Sequence, residues 1–99
     1  MISIDALRDD REEAYKVWFD RWWAKADIER EIINANSKGF AYLKIFIPDR
    51  DAYTANRMRD NLFLKFLRRK LVGFDVYFDE IPMDGYLKKS FVNVSWDDE

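Results

Sequence analysis

Five aromatic residues, Tyr15, Trp18, Phe19, Trp22 and Trp23, fall within nine positions of one charged, amphipathic helical tract that reads from Ser3 to about Asn36. A small domain must bury that much ring surface in its own core or present it to a partner, so this run constrains the fold more than any other feature. Ser3 is a good N-cap, Asp5 sits in the first turn, and Ile2 is placed to staple against Leu7. At ~100° per residue, Ile4, Tyr15, Trp22, Ala26 and Ile33 gather on one stripe, with Trp18 and Leu7 on one flank and Phe19 and Trp23 on the other. Lys16, Asp20, Arg21 and Asp27 make the opposite, solvated face, while Arg8, Arg11 and Glu29 project along the stripe itself.

A straight helix over 3–36 would be ~50 Å long, against a radius of gyration of ~13 Å for a compact domain of this size. The first helix is therefore expected to overshoot its sheet unless it breaks, leaving Ser3 to Val17 projecting or covered from outside. Phe19 and Trp22, with Tyr15, read as core. Trp18 and Trp23 point to opposite flanks, which one sheet cannot bury equally, and an exposed tryptophan beside arginine is a frequent anchor for a partner. The expected protein-binding surface is Arg11, Tyr15, Trp18 and Trp23, and the same helix is the expected route to a dimer or higher oligomer.

Asn36-Ser37-Lys38-Gly39 ends the helix, with Gly39 as a left-handed terminus. Phe40 to Ile47 reads as a strand with Ala41, Leu43, Ile45 and Ile47 on one face and Phe40, Tyr42, Lys44 and Phe46 on the other. Two largely apolar faces suit a central strand or a sheet with a covered second face. A second helix is expected from Asp49 or Asp51 to Leu71, closed by Gly73, with Ala52, Ala55, Leu62, Phe63 and Phe66 inward and Arg59 snorkelling from the stripe. Phe74, Val76 and Phe78 alternate with Asp75, Tyr77 and Asp79 in a second strand, and Val92, Val94 and Trp96 with Phe91, Asn93 and Ser95 in a third. The loop between them is 81–87. The order is α-β-α-β-β, an α+β class with a three-stranded mixed sheet packed by two helices. Strands one and two are expected to be parallel, and two and three an antiparallel hairpin. One domain spans 1–96, followed by the acidic tail 97–99.

Charge is unevenly distributed: Arg50 to Lys70 holds seven basic residues against two acidic, whereas Asp75 to Glu99 holds seven acidic against two basic. Arg57, Asn61, Lys65 and Arg68, with Arg69, form a patch suited to nucleic acid or an acidic partner, unless the acidic segment neutralises it in the fold. With no cysteine and no apolar run of signal or membrane-spanning length, the expectation is a cytoplasmic protein with no membrane association.

The chain has neither histidine nor cysteine, which removes the commonest general base and the strongest thiol nucleophile. The carboxylate pairs Asp9-Asp10, Glu12-Glu13, Asp79-Glu80 and Asp97-Asp98 are adjacent in sequence, and neighbours on a helix diverge by ~100°. Gly39, Gly73 and Gly85 are isolated and make no phosphate loop. The reading is no enzyme, no cofactor and no metal. Nucleic-acid binding is the first alternative: the basic helix can track phosphates, and Phe40, Tyr42, Phe46, Tyr77 and Phe91 can stack bases. Asp75 and Asp79 on that same sheet face, and a pI near 5.2, weigh against it, and the expectation is that the first helix or a second subunit covers this aromatic face.

The segment Phe40 to Trp96 resembles in layout the C-terminal domain of translation initiation factor three, an RNA-binding α/β sandwich, without its first strand-helix unit. The whole chain resembles small phage and prophage proteins in its long charged helix, Gly73-Phe74-Asp75-Val76 opening a strand, and Val92-Asn93-Val94-Ser95-Trp96 near the end. That resemblance implies a protein that binds host or phage machinery, including anti-CRISPR-like inhibitors, and carries over no site residue. The functional expectation is a non-enzymatic module acting by stoichiometric binding to a protein, with a self-assembling structural protein as a further alternative.

Overall fold

The computed structural model describes residues 2–48, 50–83, 85 and 88–97. Asp49, the loop residues Asp84, Tyr86 and Leu87, and the tail residues Asp98 and Glu99 lie outside the described residues, and with them those parts of the expected second-helix start, hairpin loop and acidic tail.

The chain is α+β, as its alternating periods indicate, but both long helical tracts break. Helix α1 spans Ile4–Ala26, capped by the Ser3 hydroxyl accepting from the Ala6 N–H, and α2 spans Ile28–Ser37. Between them Asp27 is left-handed, φ 52° and ψ 52°, and its N–H closes α1 on the Trp23 carbonyl. A short polar residue tolerates that conformation best after glycine. The joint resets the helical phase. Ile28 becomes buried and Ile32 and Ala35 turn inward, while Ile33, expected on the apolar stripe, is exposed. At the end of α2 the Phe40 N–H reaches back to the Ala35 carbonyl and Gly39 takes φ +92°, the expected terminus.

Strand β1 (Tyr42–Phe46) is followed by α3 (Ala52–Met58) and α4 (Asn61–Lys70), where the sequence reads as one helix. Asp51 caps α3 through the Thr54 N–H. Asp60, in extended backbone, caps α4 through the Leu62 N–H. This second break aims Phe63, Phe66 and Leu67 into the core and leaves Arg59 exposed at the joint.

Strands β2 (Asp75–Pro82) and β3 (Lys88–Ser95) complete a sheet of order β1-β3-β2. Both pairings are antiparallel, so the sheet is not mixed. β1 and β2 run in the same direction, as a crossover connection requires, but β3 inserts between them. The apolar strand β1 is therefore an edge, and β3, buried from Ser90 to Val94, is the centre. β2 also extends further than expected, taking Ile81 and Pro82 out of the loop.

In antiparallel pairs, facing residues share a face. Leu43, Ile45, Val76, Val92 and Val94 thus lie together on the helix side, within the core that holds Phe19, Ile28, Phe63, Phe66 and Leu67. Helices α2 and α4 pack on the sheet, against β1 and β2 respectively, and α1 docks on α4 rather than on the sheet. The extents of 54 × 36 × 26 Å and the radius of gyration of 15.4 Å reflect the length of α1.

Candidate functional site

The aromatic run is mostly consumed by helix-on-helix packing. Two rings of α4 receive it: Tyr15 stacks on Phe66 at 5.7 Å, Phe19 lies 5.5 Å from Phe66 and 5.9 Å from Phe63, and Trp22 meets Phe63 edge-on at 4.9 Å. Phe19 is fully buried, as expected of a core ring. Trp18 and Trp23, the flanking pair, are both half-buried, because what they flank is another helix and not a flat sheet. Trp18 contacts Phe63 at 6.3 Å, and Trp23 stacks on Phe19 at 6.2 Å.

Of the residues expected to meet a protein partner, Tyr15 offers no free ring. It is buried, and its hydroxyl donates to the Arg57 carbonyl at 2.6 Å, satisfying a carbonyl in the last turn of α3. Burial, reinforced by the Asp60 carboxylate, pushes the Tyr15 phenol above its ordinary pKa. Arg11 pairs with Asp60, the cap of α4. The overhang is accordingly shorter than 3–17: Ile2, Ile4 and Leu7 are 78, 67 and 54% exposed, and docking begins near Arg11.

The basic patch is also occupied from within. Glu12 of α1 bridges Lys65 at 3.0 Å and Arg69 at 3.5 Å, and the Lys65 hydrogen bond holds its carboxyl below the ordinary range. Arg57 stacks on Tyr53, 3.5 Å from the ring centre. Arg68 turns away to donate to the Val76 carbonyl at 2.8 Å. Asn61 stays exposed in the first turn of α4. Among the described residues the neutralising partner is thus α1, with Lys88–Glu80 the acidic segment's own ion pair. The residues Arg57, Asn61, Lys65, Arg68 and Arg69 do not form one free cationic stripe.

The uncommitted surface is the sheet face opposite the helices; the first helix, expected as its cover, docks on α4 instead. By register it carries Tyr42, Lys44 and Phe46 from β1, Lys89, Phe91, Asn93 and Ser95 from β3, and Asp75, Tyr77, Asp79 and Ile81 from β2. Tyr42, Phe46 and Tyr77, with Phe40 beside them, are 43, 43, 46 and 49% exposed. Phe91, at the centre, is buried yet stands apart from the main core. Its cover is local: the Lys44 ammonium lies 5.1 Å from its ring centre, and Lys89 sits 4.4 Å over Phe46. The face is divided by charge, lysines toward β1 and β3, aspartates along β2.

Among the described residues no three acidic side chains gather into a cation site. No described helix is long and apolar enough to cross a membrane. Compared with protein-family models, with curated proteins and with solved structures, the chain matches none.

Sequence reasoning found the rings of this face by strand alternation but did not place them beside an open edge. One signal was available. Lys44, a charge in the middle of an otherwise apolar strand, marks an edge more readily than a centre.

Proposed function

We propose that this chain is a non-enzymatic protein-binding module acting by stoichiometric contact, with the open sheet face as its principal contact surface. The observation that carries the reading is the set Phe40, Tyr42, Phe46 and Tyr77, each more than two-fifths exposed, three of them on the sheet face turned away from the helices and Phe40 beside it. Rings beside charges of both signs suit a protein surface, since ring area supplies affinity while Lys44, Lys89, Asp75 and Asp79 fix orientation. A phosphate chain is a poorer fit, because the two aspartates repel it and the basic helix is already paired with Glu12. The most concrete version, drawn from the phage-like layout, is an inhibitor or modulator of host or defence machinery acting in the host cytoplasm. Self-association through the first helix has Ile2, Ile4, Leu7 and Val17 as its exposed apolar residues.

The test compares proteins captured from a bacterial lysate by the wild-type chain and by Tyr77→Ser. The expected outcome is a stoichiometric partner lost from the variant while its stability changes by less than about 1 kcal/mol, as for a half-exposed surface position. Capture that ignores Tyr77→Ser but fails with Trp18→Ala or Trp23→Ala would move the surface back to α1. Retarded single-stranded or duplex nucleic acid at low salt, abolished by Lys44→Ala and Lys89→Ala, would install the nucleic-acid alternative.

A further inference from the structure

The two edges of the sheet are not treated alike. In the β1·β3 ladder the Ile47 N–H donates to the Ser90 carbonyl and the Trp96 N–H to the Ala41 carbonyl. Alternation along an antiparallel pair then directs the backbone groups of residues 41, 43, 45 and 47 toward β3, and those of Tyr42, Lys44 and Phe46 away from it. At the other edge the same alternation turns Val76, Phe78, Glu80 and Pro82 outward. There the Val76 carbonyl is taken by Arg68 at 2.8 Å, and Pro82 has no N–H to offer. Side chains occupy part of that edge, Arg68 at Val76 and the Asp79 carboxylate at the Glu80 N–H; among the described residues, no side chain hydrogen-bonds the outward backbone groups of Tyr42, Lys44 or Phe46.

Beside the β1 edge runs a groove of about 330 Å3, walled by Glu31, Ala35 and Lys38 of α2 and by Leu43, Lys44 and Phe46 of β1. We propose that this groove takes an extended segment of a protein partner, which adds antiparallel to β1 as a fourth strand and presents an apolar-acidic-apolar triplet. This rests on the protein-binding reading and names the chemistry of the partner. The pattern follows from the pairing. The residue facing Lys44 exchanges both backbone hydrogen bonds with it and shares the open face, where a carboxylate meets the ammonium. Its two neighbours turn to the helix side, against Leu43 and Ala35, where apolar side chains fit. Lys38 adds a second cation on the rim, and among the described residues neither Lys38 nor Lys44 is in an ion pair. A second copy is the less suitable occupant, because pairing the whole of β1 with itself sets Lys44 opposite Lys44. The added strand also extends the ring-bearing face sideways, so one partner can use both.

The probe is the blocked heptapeptide Ser-Thr-Val-Glu-Val-Thr-Ser, titrated into the isotope-labelled full chain and followed by amide shifts and hydrogen exchange. Binding should perturb and protect the amides of Tyr42, Lys44 and Phe46. Methylating the peptide nitrogen of its glutamate should weaken binding at least tenfold, and exchanging that glutamate for lysine should weaken it about threefold to tenfold, with recovery on Lys44→Glu. The proposal fails if these three amides are unmoved, if N-methylation has no effect, or if the charge exchange is not reciprocal. It also fails if the chain alone dimerises with the same amides protected. Because the methylated peptide is tested on the wild-type chain, the result stands even if Lys44→Glu does not fold. Capture that depends on Tyr77 alongside an inert peptide would leave the binding reading intact and sink strand addition alone.

Discussion

Tyr15 does two jobs with one side chain: its ring stacks on Phe66 and its hydroxyl caps the Arg57 carbonyl of a neighbouring helix. Tyr15→Phe should cost about 1 kcal/mol, the net worth of one hydrogen bond, measured from the urea midpoint at neutral pH. The phenol is held neutral in the fold by burial and Asp60. With the folded value raised, this contribution is intact below the unfolded value of about 10 and is lost as the pH climbs beyond it. Tyr15→Phe should therefore also flatten part of the alkaline fall in stability. Glu12 works with the opposite sign. Its lowered folded value means that its contribution is present above about 4.3 and disappears as the pH falls through the folded value, so Glu12→Gln should flatten the acid limb. Phe63, fully buried among Trp18, Phe19 and Trp22, is the ring whose loss should hurt most: Phe63→Ala is expected to cost about 3–5 kcal/mol.

At the scale of elements, the two helix breaks are made by aspartates in different ways. Asp60 caps α4 with its side chain and simultaneously receives Arg11, so it also fixes where α1 docks. Asp27 has no capping hydrogen bond from its side chain and contributes a left-handed backbone instead. Asp27→Gly should thus be neutral or stabilise by up to about 1 kcal/mol, whereas Asp27→Val, branched at Cβ, should destabilise by more than that. Thermal or urea midpoints of the two variants decide it. The strand faces could be read in the sequence because alternation is local: Ala41 and Ile47 fall on the side assigned to them. The breaks could not. The tract around Asp27 has ordinary helical periodicity, and it turns only because Ile28, Ile32 and Ala35 must reach β1.

The whole molecule is longer than a compact domain of its size because α1 extends past the helix that carries it. Its first turns contribute little to the fold. Ile4→Ser with Leu7→Ser should leave the unfolding midpoint within about 0.5 kcal/mol of wild type, while lowering any concentration-dependent association measured by light scattering. If the midpoint collapses instead, those residues are covered in solution by something else. The charge asymmetry of the sequence resolves at this scale too: the basic stretch 50–70 is met by Glu12, far away along the sequence, through Lys65 and Arg69.

The order of residues along the chain is enough for the kinds of element, the face on which each strand residue sits, the glycine at the end of α2 and the place of Phe19 in the core. Each depends on neighbours within a few turns or a few strand positions. The tertiary structure alone decided that β3 enters between β1 and β2, that α1 rests on α4, and that the β1 edge stays open. Those outcomes turn on contacts such as Tyr42 with Ser95, where segments far apart in the chain compete for the same apolar faces and edges. No local period records which of them wins.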